Sequence, residues 1–275
     1  MVRIGARIHD LARDDTQNAA AFLKNSEVET VQLTLPKFVS KGEPVGGFSK
    51  EKLQEIKGVF DAADVTVSVL SCYINPLADD AEKERKKIFR YIDYAKEMGV
   101  SIVGTETGSV VSNLREFPKN HTSEVFQRVI DFFISIVEYA VKRGLTVGIE
   151  SVAYFPVHDE ETFERFKNSF PKGSVCCIFD PTNLLHIGNY TKQREIFENF
   201  VKKCAADIRV VHFKDFAAQG DWLEERPLSE GNLDVVFVVE LLRKYHVSPD
   251  FIIENAQGVE NYQNLRKKLK IIMGE

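Results

Sequence analysis

The sequence is poor in cysteine and has no long apolar run. Only four of its 275 residues are cysteine, and no two have the C-x-x-C spacing of redox centres and zinc sites. Cys176 and Cys177 are adjacent within an apolar run, which predicts buried, reduced thiols. No apolar run approaches the roughly 18 residues of a membrane span, and charged residues interrupt 1–11, unlike a signal peptide. We therefore expect a cytoplasmic protein.

An excess of positive charge is also missing. The chain has 36 lysines and arginines against 41 acidic residues, a formal net charge of −5. This balance gives no general electrostatic reason to bind nucleic acid or a membrane surface. The hydrophobic fraction of 44% and the charged fraction of 28% are ordinary for globular proteins and argue against a disordered or fibrous chain.

Short apolar segments alternate along the chain with longer amphipathic ones. The short segments are rich in Val, Ile, Thr and Phe, and several are apolar at almost every position, which is typical of strands in a parallel sheet. The predicted strands are Val2–Ala6, Thr30–Leu35, Val65–Cys72, Ser101–Thr105, Thr146–Glu150, Val175–Phe179, Ile208–Phe213 and Phe251–Ile253. Apolar spacings of three and four residues predict helices at Thr16–Asn25, Ser49–Ala63, Asp79–Met98, Ser123–Arg143, Glu160–Phe170, Thr191–Cys204, Leu233–Tyr245 and Glu260–Met273.

Strict alternation of eight strands with eight helices predicts an α/β fold, a closed (β/α)8 TIM barrel formed by one domain over residues 1–275. An open doubly wound sheet is the structural competitor, but it normally has fewer units in a domain. The first strand-to-helix turn, Ala6–Asp10, also lacks the Gly-x-Gly-x-x-Gly of a dinucleotide site.

In such a barrel, chemistry takes place at the carboxyl ends of the strands. Four consecutive predicted strands, the fifth to the eighth, end in a residue that can bind a metal: Glu150, Asp180, His212 and Glu254. Strand alternation turns each of them the same way as the residue two positions earlier, so all four converge if those positions point inward. Each alone could be a helix cap, a loop residue or a hydrogen-bonded core histidine.

Three clustered carboxylates repel one another unless a cation lies between them. Three carboxylates and an imidazole form a mostly oxygen ligand set, which suits one divalent ion. We expect Mn²⁺ first, with Mg²⁺, Co²⁺ or Zn²⁺ as alternatives.

The sequence resembles the xylose isomerase-like family of TIM barrels, which includes sugar phosphate isomerases and epimerases and shares its fold with endonuclease IV. The matching segments are Gly148–Glu150, Phe179–Asn183, His212–Asp215 and Ile252–Glu254, with further similarity at Gly104–Gly108 and Gly231–Asp234. The resemblance implies that Glu150, Asp180, His212 and Glu254 are metal ligands, with Glu150 and Glu254 also the acid/base pair. It further implies a small carbohydrate substrate and proton transfer through an enediolate.

The chain departs from the family at Asn183, where many relatives have histidine three residues after the strand-six aspartate. A trinuclear zinc site of the endonuclease IV type needs several further histidines, and the chain has six in all. The nuclease interpretation is therefore weak, and the departure leaves open how terminal sugar hydroxyls are held.

Further candidates for substrate binding lie at or after predicted strand ends: His9, Tyr73, Glu106, His158, Asn183 and Lys214. Each has a structural alternative. Lys214 could pair with Asp215 or Glu254, His158 could belong to a helix entry, and His9 could be an exposed loop residue.

Two other functions remain open at this point. Similar barrels dehydrate inososes through related enolate chemistry, which would make the protein a lyase. A non-catalytic carbohydrate-binding barrel is the third possibility, although binding alone does not need two opposed glutamates. A homo-oligomer is compatible with the sequence.

Overall fold

The computed structural model describes residues 2–11, 16–39 and 42–275 and contains a closed parallel barrel. Eight strands form it in the order β1-β10-β7-β6-β5-β4-β3-β2. They are β1 (Ile4–Arg7), β2 (Thr30–Leu33), β3 (Thr66–Ser71), β4 (Ile102–Thr105), β5 (Thr146–Glu150), β6 (Val175–Phe179), β7 (Ile208–Phe213) and β10 (Asp250–Ile253). The two remaining strands, β8 (Asp215–Gln219) and β9 (Trp222–Arg226), pair as an antiparallel hairpin between β7 and the helix that follows. The predicted (β/α)8 barrel is confirmed.

Helices separate the barrel strands. They are α1 (Ile8–Leu11), α2 (Thr16–Asn25), α3 (Leu35–Phe38), α4 (Lys50–Ala63), α5 (Ala81–Met98), α6 (Ser123–Val141), α7 (Glu160–Asn168), α8 (Gln193–Cys204), α9 (Val235–Lys244) and α10 (Val259–Met273). Short 3₁₀ turns lie at Leu114–His121, Thr182–Leu184 and Tyr190–Lys192. None of the helices in the described ranges has the length and apolar character needed to cross a bilayer.

The predicted boundaries hold to within two residues, and the difference at strand two has a local cause. Predicted strand two, Thr30–Leu35, ends at Leu33 because α3 follows directly, with Pro36 in its first turn. The proline ring fixes a helix-compatible φ and removes a backbone donor, so the strand cannot continue. The short helices α1 and α3 and the β8–β9 hairpin were not predicted.

Helix ends follow the capping residues in the sequence. The Ser49 hydroxyl accepts a hydrogen bond from the Lys52 backbone amide at the start of α4. Gly99 ends α5 in the left-handed region at φ 70°, which costs a glycine little.

All four cysteines are buried free thiols, as predicted for Cys176 and Cys177.

A separate apolar cluster fills the barrel interior. Its buried members, Val69, Ile178, Val210 and Ile252, come from four different strands. Glycine makes room for them, since a Cβ at Gly104 would lie 2.6 Å from a Val69 methyl carbon. Three of these interior residues stand two positions before Asp180, His212 and Glu254, so the barrel core carries those side chains at its upper end.

Candidate active site

Three metal-competent side chains meet above the interior cluster. Glu150 ends β5, Asp180 follows β6, and His212 lies near the end of β7. One ligand atom of each residue lies within 4.8 Å of those of the other two. The three residues are only 4%, 1% and 0% exposed, so water does little to screen their charges.

Several polar atoms in this group lack hydrogen-bond partners. Within the described part of the chain, both ring nitrogens of His212 and Oδ2 of Asp180 are buried without one. The carboxylate oxygens of Glu150 and Glu254 lie 3.3 and 3.4 Å from His212 Nδ1, but neither is aligned for a hydrogen bond. A buried polar atom left unpaired costs about 1–3 kcal/mol, so such atoms normally have a partner.

These residues fit a divalent cation. Two carboxylates and one imidazole are ligands for Mn²⁺, Mg²⁺ or Zn²⁺. Among the described residues, the ring nitrogens of His212 have no hydrogen-bond partner, and Oδ2 of Asp180 has an ion pair with Lys214 but no hydrogen bond. Burial alone would lower the pKa of His212, but the surrounding carboxylates, Glu150 and Glu254 foremost, outweigh it and raise the pKa to about 9. Burial and the same two glutamates raise the pKa of Asp180 to about 7, against the opposing effect of Lys214. The negative charges of this group therefore favour a nearby positive charge. Without a bound ion, protons on His212 and Asp180 partly provide it.

Glu254, the fourth predicted ligand, lies at the edge of this group. Ile252, two positions before Glu254 on β10, is paired with His212 of β7 in the barrel. Oε2 of Glu254 lies 3.3 Å from Arg7 Nη1 and 3.5 Å from Lys214 Nζ. Burial would raise the pKa of Glu254, but Lys214, His212 and Arg7 outweigh it and lower the pKa to about 2. Glu254 is therefore ionised at neutral pH.

Lys214 links the metal-competent group to the mouth of the barrel. Its ammonium nitrogen lies 3.2 Å from Asp180 Oδ2 and 2.9 Å from Glu225 Oε1. Burial disfavours the charged ammonium, yet Asp180, Glu254 and Glu225 together hold the pKa of Lys214 well above its usual value. A charged lysine thus stands beside the carboxylates.

Asn183 orients two of the three grouped side chains. Its backbone amide donates to Asp180 Oδ1 at 3.1 Å, and its side-chain amide donates to Glu150 Oε1. With these oxygens held, Glu150 Oε2 lies on the His212 side and Asp180 Oδ2 lies on the Lys214 side. Asn183 also lines the cavity described next.

A polar cavity of about 270 Å³ lies next to this metal-competent group, and Glu150 is the member of the group that lines it. Of the predicted substrate-binding residues, Tyr73, Glu106, Asn183 and Lys214 line it, together with Glu150 and Glu254. The Tyr73 hydroxyl accepts a hydrogen bond from Gln32 at 3.0 Å, which fixes the ring. Burial and the charge of Glu150 raise the pKa of Glu106 to about 8. The cavity thus combines metal-competent groups with several hydroxyl-binding ones.

A family model described as "Xylose isomerase-like TIM barrel" matches residues 21–271. The chain belongs to this family. Among the curated proteins, no match was found.

Solved structures show the same xylose isomerase-like barrel. A D-tagatose 3-epimerase-like protein is 18% identical with a TM-score of 0.77, over 99% of this chain and 97% of that one. The 3-keto-D-glucoside 4-epimerase from E. coli is 14% identical with a TM-score of 0.73, over 98% and 100%. A xylose isomerase-like TIM barrel protein from Mycobacterium smegmatis in complex with magnesium is 14% identical with a TM-score of 0.69, over 100% and 97%.

Two predicted substrate-binding residues lie away from this cavity of the xylose isomerase-like barrel. His9 is buried and lines a neighbouring cavity of about 460 Å³, shared with Asp10 and Asn255. Burial and Arg7 lower the pKa of His9 to about 4. The His158 ring stacks on His121, with ring centroids 3.7 Å apart.

Sequence reasoning missed two residues that contact the site. Arg7 ends β1, so the strand-end rule that found Glu150 could also have found it. Glu225 lies on β9 of the hairpin, and its ion pair with Lys214 depends on how that hairpin folds over the barrel. The sequence around Glu225 contains no local signal for this contact.

Proposed function

We propose that this protein is a divalent-metal-dependent isomerase or epimerase of a small carbohydrate, acting by proton transfer next to a carbonyl. The observation that carries the proposal is the buried grouping of Glu150, Asp180 and His212, in which atoms of Asp180 and His212 lack hydrogen bonds to any described residue, next to an open polar cavity lined by Glu150 and the ionised Glu254. The likeness to two solved structures named as epimerase or epimerase-like supports the same class.

Glu150, Asp180, His212 and Glu254 are the proposed ligands of one ion. Mn²⁺ is the proposed resident ion, with Mg²⁺, Co²⁺ and Zn²⁺ as alternatives, and one similar barrel was solved with magnesium. When bound, the ion would offset negative charge that develops on the substrate carbonyl and the neighbouring hydroxyl oxygen.

Glu150 and Glu254 are the proposed acid/base pair. Arg7 and Lys214 keep Glu254 ionised, so a lone pair on its carboxylate can take the proton from the carbon next to the carbonyl. The electrons of the broken C–H bond then form the enediolate. Asn183 holds Glu150 in place, and Glu150 in its protonated form returns a proton. Return to the opposite face of the same carbon is epimerisation, whereas return to the neighbouring carbon is isomerisation.

The rest of the cavity holds the substrate in this proposal. Tyr73, Glu106, Asn183 and Lys214 line it and present hydroxyl, carboxyl, amide and ammonium groups to sugar hydroxyls. His9 and His158 stay predictions, since neither lines this cavity.

The test is solvent exchange. The protein is loaded with Mn²⁺ and incubated in heavy water with a panel of ketoses, followed by mass spectrometry and NMR. We expect deuterium at the carbon next to the carbonyl of at least one ketose. Loss of one water from the substrate would instead indicate a dehydratase, and binding without any exchange would indicate a non-catalytic barrel.

Variants tie the exchange to the proposed residues. Glu150→Gln and Glu254→Gln should each lower the exchange rate by about 10²–10⁴, the usual contribution of a general acid or base. Glu198→Gln is the matched control, because this surface glutamate of α8 pairs with Lys244 away from the cavity. Unchanged exchange in both cavity variants would overturn the proposed roles.

A further inference from the structure

A second, apolar pocket adjoins the polar cavity. It has a volume of about 180 Å³ and shares Val152, Asn183 and Glu225 with that cavity. Its other walls are mainly apolar and include Leu114, Tyr154, Leu185, Trp222 and Leu223. The two cavities therefore meet at Val152, Asn183 and Glu225.

An aromatic pair forms one wall of this pocket. The rings of Tyr154 and Trp222 are stacked, with centroids 5.0 Å apart and planes 17° apart. Phe117 contacts Tyr154 edge-on at 5.3 Å, and the Asn120 amide donates to the Tyr154 backbone carbonyl at 2.7 Å. Tyr154 is thus held from two sides, whereas Trp222 remains 37% exposed. This wall is formed before any ligand binds, which lowers the entropic cost of binding.

The described lining of the pocket contains no cationic side chain that could bind an anion. Among the described residues that line it, Glu225 has the only side chain charged near neutral pH. The Glu225 carboxylate pairs with Lys214 at 2.9 Å on the side of the polar cavity. A phosphate or carboxylate in the apolar pocket would meet this negative charge and aromatic rings, with no cationic partner.

We propose that the apolar pocket is a second subsite, which binds an uncharged aromatic aglycone joined to the sugar in the polar cavity. The inference rests on the proposed carbohydrate function and names the substrate class as neutral glycosides whose sugar ring carries the carbonyl that the proposed chemistry needs. The pocket volume of about 180 Å³ is large enough for a phenyl ring, since a cavity of about 150 Å³ accepts benzene. Asn183 lines both cavities, so the two subsites adjoin at this residue.

The sole tryptophan, Trp222, provides a direct test. Its fluorescence and calorimetry would follow the binding of phenyl β-D-glucoside, methyl β-D-glucoside and glucose 6-phosphate to the Mn²⁺-loaded protein. The two glucosides contain no carbonyl, so they report binding without reacting. We expect the phenyl glucoside to bind about tenfold more tightly than the methyl glucoside, as burial of one side of a ring allows. Only the phenyl compound should change the Trp222 emission strongly.

Two variants locate the effect. By calorimetry, Trp222→Ala should bring the phenyl-to-methyl affinity ratio close to one while leaving methyl glucoside binding unchanged. Leu114→Glu should do the same by placing a charge in the pocket. Ile271→Ala is the control, because this side chain is 74% exposed on α10 and should keep the wild-type ratio.

The outcomes separate this inference from the proposed function. A wild-type ratio near one, or no binding of either glucoside, overturns the subsite, and so does affinity for glucose 6-phosphate that Trp222→Ala removes. Deuterium exchange with free ketoses but no phenyl preference leaves the proposed function standing and rejects the subsite. A phenyl preference that Trp222→Ala abolishes, without exchange in any ketose, supports the subsite and rejects the proposed chemistry.

Discussion

Removal of the divalent ion should lower the thermal stability of this protein. Asp180 Oδ2 and both nitrogens of His212 are buried without hydrogen-bond partners in the described residues, and an ion would satisfy two of the three atoms. Because the ion binds the folded site and not the unfolded chain, it stabilises by mass action, about 2.7 kcal/mol at a concentration one hundred times Kd. For a domain of about this size, 1 kcal/mol shifts Tm by about 2–4 °C. We therefore expect Mn²⁺ to raise Tm by about 5–10 °C over the chelated protein.

Differential scanning fluorimetry in EDTA and in a series of Mn²⁺ concentrations measures this shift. In Asp180→Asn, which loses a charged ligand, the shift should fall below about 2 °C. Comparing each variant with and without ion cancels any change in its ion-free stability. Glu106→Gln is the matched control, because its carboxyl group lies in the same cavity but outside the group of three.

Two results would refute this reasoning. One is a wild-type Tm that does not respond to Mn²⁺, Mg²⁺, Co²⁺ or Zn²⁺. The other is a full shift that persists in Asp180→Asn, which would mean that the ion binds elsewhere.

Three further predictions concern protons, positioning and packing. The pKa of His212 is raised to about 9, so ion binding at pH 7 must displace its proton. The affinity for Mn²⁺ should therefore rise about tenfold per pH unit from pH 7 towards pH 9, which calorimetry at several pH values, each in two buffers, would measure. An affinity that does not change with pH contradicts this prediction. Asn183→Ala frees the Glu150 carboxylate and should weaken Mn²⁺ binding by about 10–100-fold, which calorimetry also measures; wild-type affinity contradicts it. Gly104→Ala places a Cβ 2.6 Å from a valine methyl carbon and should destabilise by about 1–3 kcal/mol in urea titrations. Gly58→Ala, in an open helical position, should instead stabilise by up to about 1 kcal/mol, and equal effects would contradict the packing argument.

Local patterns predict the barrel because each strand and helix has its own periodicity. Parity along one strand needs no information from elsewhere, so the shared orientation of Ile178 with Asp180 and of Val210 with His212 is present in the sequence. The position of such residues at strand ends likewise predicts the rim where they meet. The β8–β9 hairpin was not predicted because its strands are short and partly exposed, and because it interrupts the alternation of strands and helices after β7.

By itself, then, the sequence determined the closed barrel and the four residues that its upper rim presents. Only the tertiary structure decided how those residues are charged and held. Arg7 reaches Glu254 across 247 positions of the chain, and Glu225 reaches Lys214 because a hairpin folds over the barrel mouth. Such pairings depend on distances between side chains in space. The spacing of residues along a chain fixes the period of a strand or helix, but it does not fix which of two distant charges become neighbours.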